Sequence, residues 1–214
     1  MRRHLFTAIL FIVAALSFSC AANPADDKAK ATVGNAAQES NSPKTAGVET
    51  LAITPENSKV DFVASKVTRS HNGSFKQFSG TIDLAADNIP NSRVTIDIDT
   101  ASVVADDEKL AGHLKTPDFF DVAKFPKATF ASTKIEPAGG GGDAYTVTGN
   151  FDLHGAKKSI AFPATIKPAA DSVAVDAEFA INRKDFGIVY AGKADDLIRD
   201  EVVIKLNLRV PRKK

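Results

Sequence analysis

Val202-Val203-Ile204-Lys205-Leu206-Asn207-Leu208-Arg209-Val210 is the stretch that decides the fold. Val202, Ile204, Leu206, Leu208 and Val210 share one face at a spacing of two, and Lys205, Asn207 and Arg209 share the other. Successive side chains of a strand point to opposite faces, so this pattern predicts a strand with one face buried and one wet, the habit of antiparallel sheets. Working back along the chain, the same alternation recurs in Val173 to Asn182, Ile160 to Ile166, Tyr145 to Leu153 and Val94 to Asp99. Weaker versions occupy Ala128 to Ile135, Phe75 to Leu84 and Val60 to Thr68, which brings the expected strands to eight.

Turn signals separate these runs: Asn72-Gly73, the Gly139 to Gly142 stretch, His154-Gly155, and Pro168 to Asp171. Only Asp106 to Lys115 reads as a helix, with Asp106 or Asp107 placed to cap it and Leu110 and Leu114 four apart on one face. Pro163 inside a good strand points to a bulge or a rim. An all-β chain of eight strands and one short helix suits a sandwich or a barrel, and the pattern alone leaves both open.

The N-terminus reads differently. Arg2 and Arg3 precede Leu5 to Leu16, which is apolar apart from Thr7. That is the order and length of a secretory signal, too short to span a bilayer stably. Cys20, the only cysteine, follows Ser17-Phe18-Ser19. A small residue before a lone cysteine at the end of an apolar run resembles a bacterial lipobox, in which Cys20 would be acylated and become the first residue of the mature chain. Ordinary cleavage near Ala21-Ala22 is the alternative. An unpaired thiol is a liability in an oxidising compartment, and two or three acyl chains give stable attachment. The expected division is a signal peptide over 1–19, a flexible tether over 20–50, and one folded domain over 51–214. The tether is expected because its only larger apolar residues are Val33 and Val48. The expected location is the periplasmic face of the outer membrane, or the periplasm if Cys20 is not acylated.

Charge and motif exclude several classes. The chain holds 27 basic and 26 acidic residues, and without Arg2 and Arg3 the balance is 25 to 26. No basic patch points to nucleic acid. There is no Gly-rich phosphate loop and no Gly-x-Ser-x-Gly nucleophile turn. His71, His113 and His154 could in principle form an open metal site, with Asp118 or Asp121 assisting a hydrolase or lyase. Their spacing is isolated, and loop-end hydrogen bonding is the plainer reading. No metal and no cofactor are expected. Eleven Phe remain beyond the leader, with no Trp and with Tyr only at positions 145 and 190. Phe62, Phe78, Phe130, Phe151, Phe162 and Phe179 fall on expected strands, and Phe119 and Phe120 in a connection. Each suits an ordinary core. Together they make an interior without polar handles, better matched to a hydrocarbon chain than to a polar metabolite. Adjacent Phe119 and Phe120 either cap the fold or line an entrance.

Taken in order, Ser58-Lys59-Val60-Asp61-Phe62, Gly73 to Ile82, His113-Leu114-Lys115-Thr116-Pro117-Asp118-Phe119-Phe120-Asp121-Val122, Phe125 to Phe130, Tyr145 to Gly155 and Ile181-Asn182-Arg183-Lys184-Asp185-Phe186-Gly187-Ile188 resemble the YceI-like family of periplasmic, polyisoprenoid-binding proteins. The resemblance runs from Leu51 to about Val210. It implies an eight-stranded, extended, lipocalin-like antiparallel barrel around an elongated apolar tunnel. It implies as ligand an isoprenoid quinone, a polyprenyl lipid or a fatty amide, with no catalytic residue. The strand Phe residues would then form the wall, with His113, His154 or Arg183 nearer the polar end. Loops 68–73 and 191–193 would sit at the mouth. Partners expected are this lipid and the membrane through an acylated Cys20, with a homodimer left open. An envelope interaction module with a filled core is the remaining non-enzyme alternative.

Overall fold

The computed structural model describes residues 22–38, 48–86, 88–139 and 141–212. Each alternating run is a strand: β1 (Thr32–Asn35), β2 (Glu49–Ile53), β3 (Ser58–Ser65), β4 (Ser70–Phe75), β5 (Phe78–Leu84), β6 (Arg93–Asp99), β7 (Val103–Ala105), β8 (Lys127–Pro137), β9 (Ala144–Leu153), β10 (Ala156–Pro168), β11 (Ser172–Asn182), β12 (Gly192–Lys193), β13 (Asp196–Leu197) and β14 (Glu201–Pro211). One helix, α1 (Glu108–Leu114), lies between β7 and β8.

Short breaks divide β2 from β3, β4 from β5, and β6 from β7, so the main sheet consists of eight long runs. The first two pair through β3·β4 and β2·β5, the second and third through β4·β7 and β5·β6. β6 then pairs β8, and β8 through β11 follow as neighbours. β14 bonds β11 along one edge and β3 along the other, which returns the path to its first run. Every pairing between these strands is antiparallel, and an isolated bridge of Lys30 to Ala180 is parallel. The result is a strongly curled antiparallel sheet of barrel type, and the alternative of a sandwich falls away.

The corner between β4–β5 and β6–β7 is stitched by one hydroxyl. Ser102 Oγ accepts from Gln77 N–H at 3.0 Å and donates to Asp99 O at 2.6 Å. Asp99 caps the short turn by accepting from Ala101 N–H at 2.9 Å. Of the two candidate caps for α1, Asp107 takes the role, accepting from Leu110 N–H at 2.9 Å. Asp106 instead accepts from Asn72 N–H and faces His71 Nδ1, each at 2.8 Å.

Two expectations are corrected. Asn72-Gly73 is no turn: both lie within β4, opposite Val63 and Phe62. The reversal falls at 66–69, where Lys66 N–H donates to Arg69 O at 2.8 Å. Gly73 is there because the far end of the Phe62 ring occupies the space a Cβ would fill. The second correction concerns residues 22–38 of the expected tether. β1 adds to the edge of β10, from Thr32 opposite Ala161 to Asn35 opposite Lys158. Ala25 is 1% exposed and packs with Val63, Ala180 and Val203. These three are apolar residues on the outward side of β3, β11 and β14, and the segment covers them. It orders by borrowing the backbone edge and apolar surface of the sheet, so its own poverty in large apolar residues does not leave it free. Residues 1–19 and Cys20 lie outside the described residues.

Pro163 does not interrupt β10. It pairs in register with Thr146 on the β9 side and is exposed.

Candidate functional site

Alternation places one face of each long run inside, and that face is almost wholly apolar. Between these faces lies an apolar cavity of about 130 Å³. This apolar slot suits hydrocarbon better than a polar ligand. Of the aromatic residues singled out from the sequence, Phe62, Phe119, Phe120, Phe130, Phe151, Phe162 and Phe179 line it. Phe78 does not: it is buried at 8% exposure at the start of β5, opposite Ile98, and it is Ile98 that reaches the wall.

The rings meet in two groups. Phe62, Phe75 and Phe120 form a triad with centroid separations of 5.8, 6.4 and 5.5 Å. Phe130 packs on Phe162 at 5.6 Å, and Phe162 stacks on Phe179 at 4.1 Å with 12° between planes. Adjacent Phe119 and Phe120 both reach the wall, Phe119 at 8% exposure. The connection between α1 and β8 therefore closes part of the slot and lines it at once. Aliphatic members of the wall, such as Ile96, Ile98, Ile160, Ile181, Ile204 and Leu206, lie on the same alternating faces. Attention to aromatic residues alone passed over them, although Ile96, Ile98 and Leu206 stand in the clearest alternations of the sequence.

Two charged side chains touch this wall, Asp61 and Arg183. Arg183 is 3% exposed. Its Nε donates to Arg199 O at 3.1 Å, Nη1 to Ile188 O at 2.7 Å, and Nη2 to Ile198 O at 3.3 Å, with Asp200 Oδ1 3.4 Å away. Desolvation pulls its pKa down, and Asp200 opposes the shift. These bonds fasten the 187–200 loop, so that Ile188 and Ile198 complete the wall. Arg183 is thus first a clamp on that loop. Asn182 caps the turn leading into it by accepting from Lys184 N–H at 2.9 Å, and Gly187 ends the turn at φ 75°.

His113 and His154 stand off the wall. His113 Nε2 is 2.7 Å from Asp118 Oδ2, and its ring meets Phe119 at 4.9 Å and Tyr190 at 5.3 Å, edge on. His154 adopts φ 55° in the β9–β10 turn and packs on Phe125 at 4.6 Å. His71 is held by Asp106. With three different sets of partners, the histidines do not converge. Among the described residues, no three His, Cys, Asp or Glu side chains gather as a metal site would require. The chain at 66–68 meets that at 196–197, where Val67 N–H donates to Leu197 O at 3.1 Å and Asp196 accepts from Lys66 Nζ at 3.1 Å and Thr68 Oγ1 at 2.9 Å, so of the expected mouth residues 68–73 and 191–193 only Thr68 takes part.

A curled antiparallel sheet around an apolar slot, closed at one end by α1 and a clamped loop, defines a lipocalin-like barrel. Residues 51–210 match the model of the YceI-like domain, and the chain belongs to that family. Proteins named YceI from Salmonella arizonae and Salmonella paratyphi B are 34% identical over 122 residues, 54% of this chain. The match spans 62% of those relatives' length. The crystal structure of Burkholderia cenocepacia BcnA aligns with a TM-score of 0.66 at 28% identity, covering 73% of this chain and 98% of BcnA. A polyisoprenoid-binding domain from Saccharophagus degradans, implicated in plant cell wall breakdown, shares the fold with a TM-score of 0.62 at 19% identity, over 78% of this chain and 99% of its own.

Proposed function

We propose that this protein binds a long, thin apolar lipid inside the barrel and carries or sequesters it in the cell envelope, without catalysing a reaction on it. The observation that carries the reading is the slot itself, with eight Phe and many aliphatic side chains on its wall and only Asp61 and Arg183 as charged neighbours. Such a space is favourable for hydrocarbon and costly for unpaired polar groups. Family membership and the polyisoprenoid-binding structural relative point the same way. Within that class, an isoprenoid quinone, a polyprenyl lipid and a fatty amide are the ligands to try. We place the lipid's polar head at the end where Arg183, His113 and His154 lie, since apart from Asp61 the rest of the wall is apolar.

Residues 1–19 act as a signal peptide in this reading, and an acylated Cys20 holds the protein to the periplasmic face of the outer membrane. The reading is tested by melting delipidated protein with increasing polyprenyl alcohol or long-chain quinone. A ligand that binds only the folded state raises the midpoint with its concentration. A midpoint that no prenyl lipid or fatty amide moves would favour a barrel filled by its own side chains.

A further inference from the structure

The edge of β10 that faces away from β9 changes partner halfway along. From Thr165 to Pro168 it bonds β11, with Thr165 opposite Asp176. From Lys158 to Ala161 it bonds β1 instead. The chain just before β1 crosses to β11, where Ala31 N–H donates to Ala180 O at 2.8 Å and Ala180 N–H donates to Ala29 O at 2.9 Å. β10 and β11 therefore part company, and residues 29–35 fill the gap as an inserted strap. Pro163, which has no N–H to give, lies between the two paired stretches.

Behind this seam is the slot. Phe162 of β10 and Phe179 of β11 both line it, and their rings stack across the seam. Ala31 and Val33 of the strap pack on the same core. In front of the seam is a surface hollow that includes Pro163, Ala164, Ala177 and Leu206, and Leu206 also lines the slot.

The strap is held by few side-chain contacts. Val33 is its largest apolar residue between positions 29 and 37. Beyond backbone bonds, its principal buried attachment is Asn150 at 2% exposure, whose amide donates to Ala37 O and accepts from Ala37 N–H, each at 2.8 Å. Lys30–Glu201 at 3.1 Å and Lys28–Glu178 at 3.7 Å are solvent-facing pairs that contribute little. β14, by contrast, is bonded on both edges and buries Val203, Leu208 and Val210.

We propose that residues 29–37 are a lateral gate: they lift from the seam between β10 and β11, and the apolar ligand enters and leaves sideways through it. The gate rests on the lipid-binding reading of the slot. A long chain passing end-on must thread its whole length past Phe119, Phe120 and the loop clamped by Arg183. A side opening admits it broadside. The gate precedes residue 51, so it lies outside the region matched to the family. Its first residue, Ala29, follows Cys20 by nine residues, at most about 30 Å of extended chain, so an acylated Cys20 would keep the strap within that reach of the bilayer.

A disulfide across the seam tests this. In a full chain carrying Cys20→Ser, Thr32→Cys and Ala161→Cys sit directly opposite each other. Facing antiparallel residues are about 4.5–5.5 Å apart at Cα, within disulfide range. The probe is cis-parinaric acid, a thin fluorescent polyene fatty acid, and the readout is its release rate to acceptor vesicles. Oxidation should slow release tenfold or more, and reductant should restore it in the same sample. Asn150→Ala should raise the rate several-fold. Equal rates in the oxidised and reduced protein would overturn the gate. Amide exchange in the ligand-free protein gives an independent reading: residues 31–35 should exchange at least a hundredfold faster than β14, and equal protection would also overturn it. If parinaric acid binds no form of the protein, the lipid reading fails separately, and the exchange result alone decides whether the strap opens.

Discussion

Phe151 turns its ring into the slot while its back rests on Phe186, 5.2 Å away and fully buried. Shortening it to Leu keeps the wall apolar but widens the slot. Phe151→Leu should stay folded, with a stability loss of roughly 1–3 kcal/mol, and should lose more affinity for prenyl lipid than stability. Paired melting curves with and without lipid separate the two effects, and a stability loss with unchanged lipid response would mark Phe151 as core only. Asp106 makes a different kind of prediction. The Asn72 N–H bond, then the His71 ring, hold its carboxyl below the ordinary value of 3.8. A carboxylate with a depressed folded-state pKa stabilises the fold above its unfolded-state value and loses that contribution as pH falls through the folded value. Asp106→Asn should therefore lower the melting temperature at neutral pH, and the gap from the parent should narrow as pH falls below about 4. A gap independent of pH would show that charge plays no part there.

At the level of the element, alternation was legible because a half-buried strand leaves no other residue order. Val202 to Val210 and Val94 to Asp99 are strands as their patterns require. What alternation could not convey was where runs break and what covers an outward apolar residue. Phe62-Val63 and Val202-Val203 each put two apolar residues side by side, one on either face. That doubling was the available signal that something packs outside, and Ala25 does. The strap was illegible from its own composition because its bonds are to the backbone of β10 and β11, which carries no side-chain code. Asn72-Gly73 misled for a related reason: the glycine answers to the Phe62 ring and not to a turn. Gly149 repeats the device on β9, with the Phe130 ring and Ala131 O where a Cβ would go. Gly149→Ala should force Phe130 toward the slot. An overpacking cost of about 1–3 kcal/mol and weaker lipid binding are expected in the same variant, readable by denaturation and by lipid-dependent melting. A neutral effect on both would show that the ring has room to move elsewhere.

For the molecule as a whole, the proposed function makes the barrel a lipid carrier held close to its source of lipid. If Cys20 is acylated, Cys20→Ala should release soluble protein or block processing, and fractionation with intact mass reads either result. Membrane-bound protein of unchanged mature mass would remove the anchor from the account. The slot was only partly legible in advance. Five of the six strand Phe residues expected on its wall are there, because inward faces follow from alternation, and Phe119 and Phe120 of the connection join them. Which end would be polar could not be read, since Arg183 and the histidines are fixed by loop bonds that no pattern reveals. The central claim is that the slot is occupied in the cell by an apolar lipid. Protein purified without detergent, extracted with organic solvent and analysed by mass spectrometry tests it most directly. The account predicts a long-chain prenyl or fatty lipid in near-stoichiometric amount, and its loss from a variant with the slot blocked. Folded native protein that yields no lipid above the background of an unrelated periplasmic protein would contradict it.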